Sequence, residues 1–484
     1  MRRGKRVGQR ASVAVAGAAL LAGGLIAGTS GAPASTSAVR GVVVHPLISR
    51  MVRLGDATAP PTTAECLAHT EGRCYGPTQI ETAYDEQPLF EQGVNGTGET
   101  IVVVDSFGAP DIRTDLAHFD AAFGLQTPPK LTIMPYGPVP AFDPHTSTMT
   151  GWAGETSLDV EYAHATAPGA NILLVETATP ETVGVTGFPT MVNAENYVID
   201  HHLGQVITQS FGASEQTFKS PLTIGPLRTA YVNAQFHGVT VLAAAGDTGA
   251  AGAKTATGAT YFPDAVVGWP ASDPLVTGVG GTQLTLSTAG TQVAPQQVWN
   301  TSTAAGGPDA GGGGYSDVFT RPSYQNSVSS VVGSRRGVPD VSMSGSCAGY
   351  VDVYITGIGT GGGWYGICGT SEASPLFSGI VALADQEAHH SVGLINPALY
   401  QMKSENASGI VDVTQGTNST FFTTPTTGKT VNIAGYSASA GYNMATGVGT
   451  VDAATFVPEL AATVNPLTSL ATWYWMSPFF MPTP

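Results

Sequence analysis

Four stretches of the chain are apolar on consecutive positions rather than on alternate ones: Ile101-Val102-Val103-Val104-Asp105, Ile172-Leu173-Leu174-Val175, Gln205-Val206-Ile207-Thr208 and Val239-Thr240-Val241-Leu242-Ala243-Ala244. Such runs predict strands buried on both faces, and the crossover lengths between them predict a parallel sheet with helices on both sides, an α/β fold. Gly154 to Ala163 instead has helical spacing and stops before Pro168-Gly169. A second helix is expected after Gly366 to Pro375, with Ser374 as its cap, Pro375 in its first turn and Leu376 to Leu383 as its buried stretch. No linker interrupts the pattern from Cys74 to about Ala462, so residues 74–463 are expected to form one large domain.

The ends of the chain have a different character. Residues 1–34 combine a basic head (Arg2, Arg3, Lys5, Arg6, Arg10), an apolar Ala14 to Ala27 and an Ala32-Pro33-Ala34 site, as in a secretory signal peptide. Residues 35–73 are polar, contain Pro60-Pro61 and are expected to be a short leader. The aromatic tail 464–484 is too short and too Pro-broken to span a bilayer and is expected to pack on the domain.

Charge narrows the partners. The signal carries five of the 19 basic residues and none of the 35 acidic ones, which leaves the remainder at a formal −21. That balance argues against nucleic acid or an anionic membrane as partner and suits a secreted protein that must stay soluble where many carboxylates are protonated; a monomer without an integral membrane anchor is expected. The four cysteines admit three pairings. Proximity favours Cys66 with Cys74, which leaves Cys347 with Cys368, three residues before Ser371. No Cys-x-x-Cys pair or histidine cluster supports a metal at Cys66 and Cys74.

The candidate chemistry begins at Gly369-Thr370-Ser371, where a serine stands at a helix N-terminus whose partial positive charge favours an anionic species. A nucleophilic serine needs a base. Glu155 and Asp159 stand at i and i+4 on one helical face, where like charges cost a few tenths of a kcal/mol unless something uses them. Nine acidic residues and no Lys or Arg lie between Lys130 and Lys219, so local salt bridging does not account for the pair. Two carboxyls sharing a site hold a proton into acid, where a histidine base would already be charged. Among the histidines, Phe236-His237-Gly238 reads as a helix end and His164 lies inside the Glu155 helix; Asp105 ends a strand and reads as structural or as polar lining.

Gly369-Thr370-Ser371 with Pro375 resembles the nucleophile motif of the subtilisin fold, and with Glu155-x-x-x-Asp159 the chain resembles the sedolisin family of serine-carboxyl peptidases. The resemblance extends over Pro77-Thr78-Gln79-Ile80, Val160-Glu161-Tyr162, Ala167-Pro168-Gly169, Gly314-Tyr315-Ser316 and Val338-Pro339-Asp340. It implies a subtilisin-like fold, Ser371 as nucleophile, Glu155 as base with Asp159 orienting it, and Asp247, in Ala245-Gly246-Asp247-Thr248-Gly249, as the oxyanion residue. It implies that Ser210, Phe211 and Gly212 hold the substrate backbone. It also implies one calcium ion near the C-terminus, held by Asp412, Val413, Ser439, Gly441 and Asn443; asparagine in place of the family's aspartate there weakens the set. Two other readings remain open: a catalytically silent binding or surface protein on the same scaffold, and a peptidase dependent on His237 or His164. Endopeptidase and tripeptidyl-peptidase activities are not distinguished at this level.

Overall fold

The computed structural model describes residues 45–464, except 56–58, 71, 179–187, 219, 255–259, 304–305 and 359–361. The expected signal peptide at 1–34, the expected leader up to residue 44 and the expected tail 464–484 from residue 465 on lie outside the described residues.

All four expected runs are strands of one sheet. Its order is Gln297–Val298, Thr277–Gln283, Thr240–Ala244, Val206–Gln209, Thr100–Ser106, Asn171–Thr177, Leu131–Tyr136, with Val341–Ser344 alongside Thr277–Gln283. Every pairing but that of Gln297–Val298 is parallel. Successive side chains leave a strand on opposite faces, and two cores result. Ile101, Val103, Ile172, Leu174 and Leu242 join one; Val102, Val104, Leu173, Val175 and Val241 join the other. The second core is closed by helices Phe188–Asp200 and Thr229–His237 through Phe188, Met191, Val198, Tyr231 and Ala234.

The first core holds the two long helices that matter for chemistry, Ser147–Thr166 and Thr370–Ala388. Both are buried almost all round, so packing rather than an amphipathic stripe fixes them. On the second helix Leu376, Phe377, Ile380, Val381 and Leu383 are fully buried, each worth about 1.5–3 kcal/mol of apolar transfer. Gly379 lets the two helices meet: a Cβ there would stand 2.5 Å from the Thr166 Cβ.

The start of this second helix differs from expectation. It begins at Thr370 with Gly369 as cap, and Pro375 lies inside it. Ser374 does not cap; its hydroxyl meets the Thr208 hydroxyl at 2.8 Å. A proline so near the start removes only one intrahelical bond, the one to the Ser371 carbonyl, and the buried apolar run outweighs that loss. Ser371 remains in the first turn, as expected.

Within the stretch expected to be a leader, Arg50–Gly55 pairs antiparallel with Gly363–Cys368, the strand that leads into Ser371. It forms the edge of a four-stranded sheet that ends on Arg73–Tyr75. Both favoured disulfides are present, Cys66–Cys74 and Cys347–Cys368, so neither cysteine pair offers a thiolate to a metal. No helix among the described residues is long and apolar enough to cross a membrane.

Candidate active site

Ser371 is fully buried, and its N–H points to the carbonyl oxygen of Leu47 at 3.3 Å. Glu155 approaches from the neighbouring helix, one turn before Asp159, and both are also fully buried. Burial first, then Asp159, Asp105 and Asp247, push the Glu155 carboxyl well above the usual carboxylate range; the nearby Ser371 hydroxyl offsets part of this. The two side chains make no hydrogen bond of ordinary geometry in this state.

Asp159 is raised by burial and by Asp105, against a 2.9 Å hydrogen bond from the Ser210 hydroxyl. Asp105, at the end of its strand, is raised to about 7, chiefly by burial and then by Glu176, with the Thr156 hydroxyl offsetting part. The structure therefore brings a third carboxyl to the pair. The sequence left Asp105 as structural or as polar lining; the structure places it as lining, close enough to raise both Glu155 and Asp159.

Asp247 follows strand Thr240–Ala244 and reaches the serine helix from the other side. Its Oδ1 accepts from both the Thr370 N–H and the Thr370 hydroxyl at 2.7 Å. Oδ2 has no hydrogen-bond partner among the described residues. Burial first, then Asp309, raise this carboxyl well above its ordinary range. Thr370, which sequence reading passed over, orients it. Gly369 is required beside it: φ is +146°, and a Cβ would stand 2.4 Å from the Leu47 carbonyl oxygen and 2.6 Å from Asp247 Oδ2.

Among the residues expected to hold a substrate, Ser210 presents its carbonyl, which accepts from the Leu47 N–H at 2.9 Å. Phe211 and Gly212 begin the strand Phe211–Ser214, which runs along the same edge. The two candidate histidines lie elsewhere. His164 is buried against Asp120, Nε2 to Oδ1 3.2 Å, while His237 is exposed and places Nδ1 3.0 Å from the Asn233 carbonyl. Neither is hydrogen-bonded to Ser371.

The C-terminal loop keeps the expected residues together but not as a calcium cage. Asn443 Oδ1 accepts from the Ala445 N–H, the Thr446 N–H and the Thr446 hydroxyl, each at 3.1 Å. That fixes its amide nitrogen to donate to the carbonyls of Val413 at 3.4 Å and Ser439 at 3.2 Å, the oxygens a cation would need. Lys403 forms an ion pair with Asp412, which also accepts from the Gly441 N–H at 3.1 Å. The donor set is thus already satisfied by an ammonium and an amide and, so arranged, does not fit calcium.

A parallel α/β sheet with a serine and a cluster of carboxyls at one edge defines a class before any relative is considered. The chain belongs to the subtilase family, whose description, "Subtilase family", matches residues 128–436. Within it the chain is of the sedolisin type. It is 33% identical over 352 residues to kumamolisin of Bacillus sp. (strain MN-32), covering 71% of this chain and 57% of that protein. It is 29% identical over 409 residues to sedolisin of Pseudomonas sp. (strain 101), covering 84% and 63%. The chain thus spans less than two thirds of the length of these relatives. The solved structure of Pseudomonas sedolisin, a serine-carboxyl proteinase in complex with pseudo-iodotyrostatin, superposes with a TM-score of 0.67 at 27% identity, over 81% of this chain and 100% of that one.

Proposed function

We propose that this chain is an exported, acid-active serine-carboxyl peptidase that hydrolyses polypeptides through an acyl-enzyme on Ser371. One observation carries the reading: Ser371 stands at a helix start near the Glu155 carboxyl and the free Oδ2 of Asp247, with no histidine or cation among the described residues bonded to any of the three. Glu155 takes the hydroxyl proton as Ser371 attacks and returns it to the leaving amine. Asp159, held by Ser210 and crowded by Asp105, keeps the proton shared within the carboxyl group. Asp247, protonated, donates from Oδ2 to the developing oxyanion, which an ionised carboxylate would repel.

The same electrostatics support acid activity. Burial raises the proton affinity of Asp247 and of the Glu155–Asp159–Asp105 cluster, so in acid Asp247 keeps the proton it donates and the cluster shares fewer protons than it has carboxyls, which leaves Glu155 able to accept one; rising pH strips Asp247. The basic and apolar 1–34 segment and two disulfides support export, and the machinery lies within 74–463. We do not assign a calcium ion to the Asp412 loop, because Asn443 and Lys403 already satisfy its oxygens.

The test is hydrolysis of an unfolded protein in acidic buffer by wild type, Ser371→Ala, Glu155→Gln and His237→Ala. Loss in the first two variants and retention in the third supports the assignment. Retention in Ser371→Ala contradicts the mechanism, and a folded wild type without turnover favours the silent binding protein.

A further inference from the structure

A buried acid that the mechanism above does not use lies beside Asp247. The segment that carries this acid, Asp309, is zipped to the turn that carries Asp247. The Ala310 N–H donates to the Asp247 carbonyl at 3.0 Å, the Gly249 N–H to the Ala310 carbonyl at 2.7 Å and the Gly312 N–H to the Gly246 carbonyl at 2.6 Å. Main-chain bonds at and on both sides of Asp247 thus fix the spacing of the two side chains. Ser49 bridges them. Its hydroxyl donates to Asp309 Oδ1 at 2.6 Å, while its nitrogen and Asp247 Oδ2 lie 3.0 Å and 2.6 Å from one point, the empty Cβ position of Gly369.

The donors around Asp309 are those of a carboxylate. Arg50 Nη2 pairs with Oδ2 at 2.7 Å, and the Thr301 hydroxyl donates to the same oxygen at 2.9 Å. The two charges of this ion pair do not cancel at Asp247. The Arg50 side chain is 32% exposed and that of Asp309 only 3%, so solvent screens the cation far more than the anion. A negative charge held near a second carboxyl in a dry interior disfavours ionisation of that carboxyl. Asp309 is accordingly the charged neighbour that, after burial itself, pushes Asp247 up.

Two other acids face Asp247, Glu155 from helix Ser147–Thr166 and Glu372 from helix Thr370–Ala388, and both are fully buried. Each is itself raised by the charge of Asp247, and neither has an ion-pair or hydrogen-bond partner of ordinary geometry among the described residues. They answer to Asp247 rather than set it.

We propose that Asp309 is a positioning residue that acts through Asp247: its negative charge, tempered by Arg50, keeps the oxyanion donor protonated towards higher pH and so sets the upper pH limit of hydrolysis. The proposal rests on the peptidase reading above. It gives the two partners of one ion pair opposite effects. Without the Asp309 charge, Asp247 loses its proton earlier as pH rises. Without the Arg50 charge, Asp309 acts unopposed and that loss is delayed.

The test is kcat/KM of the full chain on denatured casein from about pH 3 to about pH 8, where the falling limb on the neutral side reports the proton on Asp247. Wild type is compared with Asp309→Asn, Asp309→Glu and Arg50→Gln, with Ser371→Ala as the blank and thermal melts to confirm folding. In Asp309→Asn the limb should move down by about one pH unit, a tenfold change in proton affinity. It should return towards wild type in Asp309→Glu and move up, by less, in Arg50→Gln. A limb that stays in place in Asp309→Asn while the rate drops at every pH makes Asp309 a purely structural residue and overturns the proposal alone. Shifts of the same sign in Asp309→Asn and Arg50→Gln overturn it too. If Asp309→Asn does not fold, Arg50→Gln decides, and a limb that stays or moves down contradicts the proposal. A folded wild type without turnover, or turnover retained in Ser371→Ala, overturns it together with the peptidase reading.

Discussion

The cleft and the C-terminal loop answer the same family resemblance in opposite ways. In the cleft, Glu155 and one oxygen each of Asp159 and Asp247 are buried without a hydrogen-bond partner among the described residues. In the loop, Asp412 has Lys403, and Asn443 spends its oxygen and its nitrogen on neighbours. A buried unsatisfied polar atom costs about 1–3 kcal/mol, a cost the surrounding fold must carry. Carboxyls left in that state hold protons and can move them. Once every oxygen is satisfied, as in the loop, the arrangement holds a shape and does little else.

The largest effects should come from removing the cleft's unpaired groups. Ser371→Ala and Glu155→Gln are each expected to lower kcat/KM by about 10⁴-fold or more, read on an unfolded protein substrate. Asp247→Ala should cost about 10²–10³ in kcat, the usual worth of one oxyanion donor. Gly369→Ala should match or exceed it, because its Cβ would occupy the space of the oxygen.

Stability should report the same contrast through pH. Burial raises Glu81 and Glu215 to about 7 and Glu195 to about 8. For a carboxyl raised in the folded state, the unfolded chain loses its proton first as pH rises, which favours unfolding. The contribution of these groups is therefore full below about pH 4 and is lost as pH rises to about 8. Each tenfold change in proton affinity is worth about 1.4 kcal/mol, so several such groups approach a domain's total of about 5–15 kcal/mol. Thermal melts should lose many degrees between those limits; a flat profile would contradict the burial argument.

A smaller effect is expected where the helices meet. Gly379→Val should overlap Thr166 and cost about 1–3 kcal/mol in urea unfolding, as overpacking does. The loop should respond least. Chelator should move the wild-type melting temperature by about 1 °C or less, since the ion's place is taken; about 1 kcal/mol would already shift it by some degrees. Lys403→Ala with Asn443→Asp should restore a calcium-dependent gain, visible by titration calorimetry.

Much of this was legible in the sequence for a physical reason. Strands buried on both faces leave unbroken apolar runs, so Ile101 to Val104 and Val239 to Ala244 announced the parallel sheet. The Glu155–Asp159 spacing and the absence of nearby cations marked the carboxyl pair. What stayed hidden was set by distant contacts. Asp105 joins the pair only because its strand ends beside the helix, and Thr370 matters only through Asp247. The segment 45–55 has no sustained periodicity, yet Arg50–Gly55 within it pairs with residues more than three hundred positions away. Lys403 meets Asp412 across a turn that no spacing rule reveals.

The most direct test of a carboxyl-driven cleft is kcat/KM for an unfolded protein from about pH 3 to about pH 9, with wild type and Glu155→Gln side by side. The account predicts an acidic optimum, a decline towards neutrality as the raised carboxyls lose their protons, and no measurable rate for Glu155→Gln at any pH. An optimum above neutrality that survives Glu155→Gln would contradict it.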